Sequence, residues 1–338
     1  ILNIAIQIIL IKIFYFRNFN FTDRGGSIRW YGNSGTLKNC NFINNTAGSH
    51  GAGVRWDGRD GVVTGCTFIG NVAPHGGGIS WSAFNGSLSS SIFTNNSASD
   101  LGGAVDWFGA DGAINNCTFN SNTALNNGGA VWWDAVNGIL TSSIFNRNYA
   151  NYGGGAVFWN GLNGRLTDST FINNAARDDG GAIYWRGANG RLTDSTLINN
   201  TAPRWGGAIR WIADNGVVSS SIFINHTSIK NHGGTINWDA NNGTIIDSTF
   251  INNTSNNSCR AIYWNKAASM TNCTFNTKWF NNFNISPNGI YAAGNLTING
   301  GKGIVDITVL GTLTRVSIVV LNNETYYYPP GTNINFVN

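Results

Sequence analysis

Carboxylate chemistry in this chain falls to aspartate, because Glu324 is the only glutamate among the 16 acidic residues of 338. One pair has the form of an acid–base site. Asp168 and Asp194 occupy the same place in two successive Arg-Leu-Thr-Asp-Ser-Thr segments, each with its own arginine, Arg165 and Arg191. Two carboxylates one strand spacing apart raise one another's pKa and so set an acid beside a base, as sugar cleavage needs. The same position is filled elsewhere by Asn and Ser, however, so a folding role explains the pair more simply, and cleavage by Asp168 and Asp194 stands as the alternative reading.

Other reactive types point less far. His50, His75, His226 and His232 show no ligand spacing, and Gly300-Gly301-Lys302-Gly303 followed by Asp306 departs from the calcium β-roll pattern, so no metal and no cofactor are expected. Cys40, Cys66, Cys117 and Cys273 occupy a position otherwise held by Ser and read as small buried residues. Of these, only Cys40 and Cys66 belong to adjacent repeats, and inward side chains on stacked parallel strands rarely meet disulfide geometry.

Only 11% of the residues are charged, net charge is +4, and the basic residues are scattered singly, which excludes a disordered charged tail, a nucleic-acid footprint and a polybasic membrane patch. Gly at 44 residues with Pro at 5 describes a turn-rich folded chain. The apolar stretch Ile1–Phe16 is short for a membrane span and is broken by Asn3, Gln7 and Lys12, so it reads as strand. A first residue of Ile1 instead of Met suggests a piece of something longer.

The elements that must carry these residues follow from a repeat. Trp30, Trp56, Trp81, Trp107, Trp133, Trp159, Trp185, Trp211, Trp238 and Trp264 recur every 25 to 27 residues. Two residues before each stands a β-branched aliphatic, from Ile28 to Ile262, whereas the residue between varies from Arg29 to Asp106 to Tyr184. A period of two places the aliphatic and Trp columns inside and the variable column outside. Leu37, Val63, Leu88 and their equivalents form a second apolar column, and Phe42, Phe68, Phe93 and theirs a third. Five residues separate these columns, an odd number that one straight strand cannot bury at both ends. A corner is therefore predicted at Asn39, Gly65, Ser90, Asn116, Ser142, Asp168, Asp194, Ser220, Asp247 and Asn272, types suited to turns. A further corner holds Asn45, Asn71, Asn96, Asn122, Asn148, Asn174, Asn200 and Asn253, whose inward amides can satisfy bent backbone and bond to the coils above and below. The pattern fails at His226 and Lys278, and Cys259-Arg260 replaces Gly-Gly, so the array decays toward its C-terminal end.

Three short strands per repeat thus make one coil of a parallel solenoid, with like residues about 4.8 Å apart. The paired signatures Gly181-Ala182-Ile183 and Phe171-Ile172-Asn173-Asn174 resemble the repeats of polymorphic outer-membrane proteins and, through the Trp in every coil, those of adhesin-like surface proteins of methanogenic archaea. The resemblance implies a right-handed parallel β-helix of the pectin-lyase-like type, secretion, display on a cell surface and adhesion. Handedness follows from it and from the right-handed crossover rule for parallel strands.

The expected organisation is an N-terminal β coil or cap over 1–24, an all-β, right-handed parallel β-helix of about ten coils over 25–290, and a β cap or truncated immunoglobulin-like module over 291–338. The expected function is contact with glycans or other cells by a monomeric extracellular protein that is not an enzyme. A passive stalk is a third reading. The candidate binding surface is the outward stripe Trp132, Phe158 and Tyr184 followed by Arg210, since exposed aromatics on consecutive coils can stack on sugar rings. Sequons at Asn44, Asn85, Asn95, Asn199, Asn225 and Asn252 would be glycan sites where they face outward.

Overall fold

The computed structural model describes residues 2–4, 10–12, 15–22, 25–228, 233–255, 262–276, 289–292, 296–303, 306–309 and 312–314. All strand pairings among them are parallel, and each strand pairs with its equivalent one coil away, as in Ile28–Trp30 on Val54–Trp56 and Val157–Trp159 on Ile183–Trp185. Two sheets run the length of the solenoid, and a third column of short strands accompanies them as a seven-stranded and a two-stranded sheet. A 13-stranded sheet carries the Trp strands. A second sheet takes two strands from each coil, such as Arg165–Thr167 and Thr170–Ile172. The third column is built from short segments such as Ala175–Ala176, a fourth strand per coil that the three-strand expectation missed.

Each predicted column is a stack. The ten tryptophans are fully buried, and from Trp30 to Trp238 adjacent rings lie parallel with centroids 4.5 to 5.0 Å apart. The indole explains its neighbour: a Cβ on Gly190 would stand 2.2 Å from Trp185 Nε1, so the turns after Trp30 through Trp238 close with glycine, whereas Ala268 stands at that place after Trp264. At the predicted corner every residue adopts positive φ, including Asn39 at 54°, Asp168 at 47° and Asp194 at 48°. Asn, Asp, Ser and Gly recur there because they tolerate the left-handed region best.

The inward asparagines form the ladder their spacing predicts. Asn122 donates from its backbone N–H and from Nδ2 to Asn148 Oδ1, at 2.9 and 3.0 Å, while Nδ2 also reaches Phe93 O at 3.0 Å. His226 interrupts this run, accepting at Nδ1 from Asn200 N–H at 3.1 Å in place of an amide oxygen.

Both ends continue the winding. Leu2–Ile4 pairs with Ile28–Trp30, and Leu10–Lys12 with Thr36–Lys38, so the apolar N-terminal stretch supplies strands. No helix of the described residues is long and apolar enough to cross a membrane. Gly289–Ala292 and Leu296–Gly303 add parallel rungs on Ile262–Trp264 and Ala268–Asn276, and the parallel pairing runs to Thr314. Residues 315–338, on which most of the expected immunoglobulin-like module falls, lie outside the described residues, as does Lys278.

Candidate functional site

Asp168 and Asp194 are exposed at the left-handed corner, and Asp168 Oδ2 accepts from Ser142 Oγ at 2.9 Å. Their arginines stack in register on the outer surface. Among the described residues no ion pair engages either carboxylate, and the geometry is that of a turn.

The aromatic stripe is in register, with Trp132 paired to Phe158 and Phe158 to Tyr184, and its rings lie 4.4 and 4.7 Å apart. Its expected exposure is corrected. Phe158 is 2% exposed, Tyr184 8% and Arg210 7%. The outer face of the Trp sheet is covered by the arm of chain that leads into each Gly-Gly pair. Residues just before those pairs make a column of their own, with parallel bridges His50 to His75, Leu101 to Asn127, Asn127 to Gly153, Gly153 to Asp179 and Asp179 to Trp205. The positive φ of the leading glycine, 57° at Gly51, where Ala52 follows, and 58° at Gly76, turns this arm onto the sheet. A Cβ on Gly153 would lie 2.4 Å from Tyr184 Cδ1, so the arm rests directly on the ring.

Two polar clusters sit in the seam between arm and sheet. Near the C-terminal end, Asp179 is 1% exposed and is held by Arg204, with Nε to Oδ1 at 3.0 Å and Nη2 to Oδ2 at 3.1 Å. Burial raises the Asp179 pKa although Arg204 works against it. Arg204 and Arg210 both lie against the Trp205 ring, at 4.4 and 4.5 Å from its centroid. This cluster is paired internally and reads as a brace.

The other cluster lies on the coils that begin at His50. His50 and His75 stack with ring centroids 4.7 Å apart, and their backbones are pinned, His75 N–H donating to Ser49 O and Gly51 N–H to His75 O. Pairing shifts register between Ala73 and His75, and Val72–His75 and Ser97–Leu101 are longer than the equivalent strands elsewhere. Such irregularities re-aim side chains. Beneath the imidazoles, Arg29, Arg55, Ser80 and Asp106 occupy consecutive outer positions of the Trp sheet. Asp106 is fully buried, and burial pushes its carboxyl well above the usual range, with Arg55 and Ser80 opposing. Arg55 Nη1 donates to Ser80 Oγ at 2.7 Å, and Ser80 Oγ donates to Asp106 Oδ2 at 3.4 Å. Arg55 Nε and Arg29 Nε both reach Asp57, at 2.7 and 3.2 Å. Burial raises the Asp57 pKa, but Ser82, Arg55 and Arg29 together hold it below the ordinary value. His75 Nε2 lies 3.6 Å from Asp100 Oδ2.

Linear spacing missed this patch. The usable signal was the repeat register: His50-Gly51 and His75-Gly76 fall at the same place in consecutive coils, which stacks them as surely as it stacks the tryptophans. Imidazoles, guanidiniums and a buried carboxylate within one patch can bind an anionic sugar, move a proton or hold a cation.

A family model described as right handed beta helix region matches residues 26–202, more than half of the chain. No curated protein matches its sequence. Among solved structures the chain is similar to the alginate lyase AlyF-OU02, at 11% identity and a TM-score of 0.54, over 93% of this chain and 82% of that one. It is also similar to a mutant of AlyGC, a PL6 family alginate lyase, at 11% identity and a TM-score of 0.51, over 98% of this chain and 50% of that one. The expectation that the chain is not an enzyme is corrected by these findings, because these two solved structures of similar fold are alginate lyases. At this identity the likeness concerns the fold and carries no catalytic residue across.

Proposed function

Starting from a chain that belongs to the right handed beta helix family, we propose that it is a lyase-type enzyme acting on an acidic polysaccharide, with the patch around His50, His75 and Arg55 as its centre. One observation carries this reading: two of only four histidines stack on one another beside a fully buried aspartate and an arginine, in a molecule with few charges. Guanidiniums match carboxylates in shape and charge, so Arg29 and Arg55 suit a uronate unit. The formal net charge of +4 has the sign that favours a polyanion. On this reading the substrate is an extracellular polymer, and the protein acts where that polymer is.

Elimination on a uronate moves the C5 proton to a base, turns the C–H electron pair into a C4–C5 double bond and expels the glycosidic oxygen, which takes up a proton. The patch offers ionisable groups for such transfers. Adhesion rests on the repeat resemblance, and of its aromatic stripe Phe158 and Tyr184 are buried.

Incubation with alginate, polygalacturonate and a neutral glucan, following the ultraviolet absorbance of the new double bond, tests the proposal. Unsaturated ends from a uronate polymer are expected, falling about 100-fold or more in Arg55→Ala, in the range that loss of one key electrostatic contact costs. No unsaturated ends from any uronate polymer overturns the lyase reading, and retention of the polymer without cleavage returns the reading to adhesion.

A further inference from the structure

The His50, His75 and Asp106 side chains have a feature that the lyase reading does not use. One ligand atom from each lies within 4.8 Å of the other two. Two polar atoms here are buried with no hydrogen-bond partner, His75 Nδ1 and Asp106 Oδ1. An unpartnered buried carboxylate oxygen is costly, and a protein that keeps one beside an unpartnered imidazole nitrogen leaves a donor set incomplete. The other oxygen, Asp106 Oδ2, is already oriented by Ser80, which is itself held by Arg55. His50 Nδ1 is engaged by Ser49 Oγ at 2.5 Å, and His75 Nε2 faces Asp100 at 3.6 Å. Such supporting contacts fix ring orientation in metal sites.

We propose that His50, His75 and Asp106 form a binding site for one divalent transition-metal ion of the zinc class. Two imidazoles and one carboxylate are borderline ligands that suit zinc, iron(II) or cobalt, whereas calcium and magnesium take oxygen ligands. Ligand atoms around a tetrahedral zinc lie roughly 3.3 Å from one another, given bonds near 2.0 Å. The three side chains therefore close by about 1 to 1.5 Å at most, which rotation of the imidazoles supplies while the backbone stays pinned. Three protein ligands leave a fourth position open for water or for a sugar oxygen, the arrangement of reactive rather than purely structural sites.

The site stands apart from the lyase reading, since metal uptake is measured without substrate. Protein stripped with a chelator and dialysed is titrated calorimetrically with zinc, cobalt, calcium and magnesium chlorides, and cobalt binding is followed by its visible absorption. One equivalent of zinc is expected, with cobalt giving the intense bands of a four- or five-coordinate ion. His75→Gln and Asp106→Asn each weaken zinc binding about 100-fold or more, while Asp168→Asn leaves it unchanged. Circular dichroism melts of the metal-free variants show that each still folds, and His50→Gln serves as the second ligand test if either does not. Failure of the wild type to take up zinc, wild-type zinc affinity in both ligand variants, or preference for calcium overturns the site. Polymer cleavage without metal uptake removes the site and leaves the lyase reading standing; uptake without cleavage does the reverse.

Discussion

The Trp strands have two faces with opposite histories. Their inner face repeats the same residues in ten successive coils, from Ile28 and Trp30 to Ile262 and Trp264, an aliphatic and a Trp, all fully buried. Their outer face never settles: Arg29, Arg55, Ser80 and Asp106 are followed by Trp132, Phe158, Tyr184 and Arg210. Both faces are largely covered, so burial does not distinguish them. What distinguishes them is the partner. An inner residue meets copies of itself above and below, so each coil imposes its side chain on the next. An outer residue meets the arm that crosses it, and the arm varies from coil to coil. Repetition therefore marks folding, and departure from repetition marks the places where chemistry was free to change.

Trp132 and Trp133 set the two faces against each other with one residue type. Trp133 lies between Trp107 and Trp159 at 5.0 and 4.8 Å and is fully buried. Trp133→Ala leaves a cavity in a ladder that cannot collapse, at a cost of about 3–5 kcal/mol. Trp132 is partly exposed and stacks on one side only, on Phe158. Trp132→Ala should cost about 1 kcal/mol, the scale of one aromatic pair. Urea denaturation followed by tryptophan fluorescence and circular dichroism compares them. Equal losses would erase the distinction between the faces.

A smaller effect sharpens the comparison within the interior itself. His226 replaces an amide in the asparagine ladder, and burial, against its bonds to Asn200 and Leu197, pushes its pKa down from 6.5 to about 4. The unfolded chain therefore takes up a proton that the folded chain refuses. The stability this histidine permits is present above pH 6.5, falls as pH drops through the window from 6.5 to 4, and levels off below 4. The loss is about 3 kcal/mol over that window. His226→Asn restores the ladder type and should flatten this part of the pH profile of the melting temperature. An unchanged profile would show that acid lability originates elsewhere.

How far the sequence could be read follows the same division. The Trp, Leu, Phe and Asn columns, and the corner from Asn39 to Asn272, were legible because each position answers a constraint that recurs every coil: ring stacking, carbonyl satisfaction or positive φ. The outer column was legible in register but not in surroundings. Its cover depends on the path of the arm, which varies in sequence and is set by glycine geometry at Gly51, Gly76 and their equivalents. Pairs such as His75 with Asp106, or Gly153 with Tyr184, are therefore invisible to alternation. Phe158 looked exposed because alternation reports only which side of the sheet a residue takes.

The smallest effect expected is the one that most directly tests whether the recurring corner hides a reactive pair. Asp168 and Asp194 adopt φ of 47° and 48°, a conformation that Asn also tolerates and that Asn39, Asn116 and Asn272 adopt at the same corner. Asn keeps the side-chain oxygen that Ser142 uses at Asp168. Both residues are exposed, so removing their charges relieves no desolvation and uncovers no cavity. The double replacement Asp168→Asn with Asp194→Asn should change stability by under about 0.5 kcal/mol, as surface changes away from special contacts do. It should also leave cleavage of any uronate polymer at the wild-type rate, while Arg55→Ala lowers it about 100-fold or more. Loss of cleavage in the aspartate double variant with an unchanged melt would move the reactive centre from the irregular patch to the regular corner, and repetition would then no longer separate folding from function in this chain.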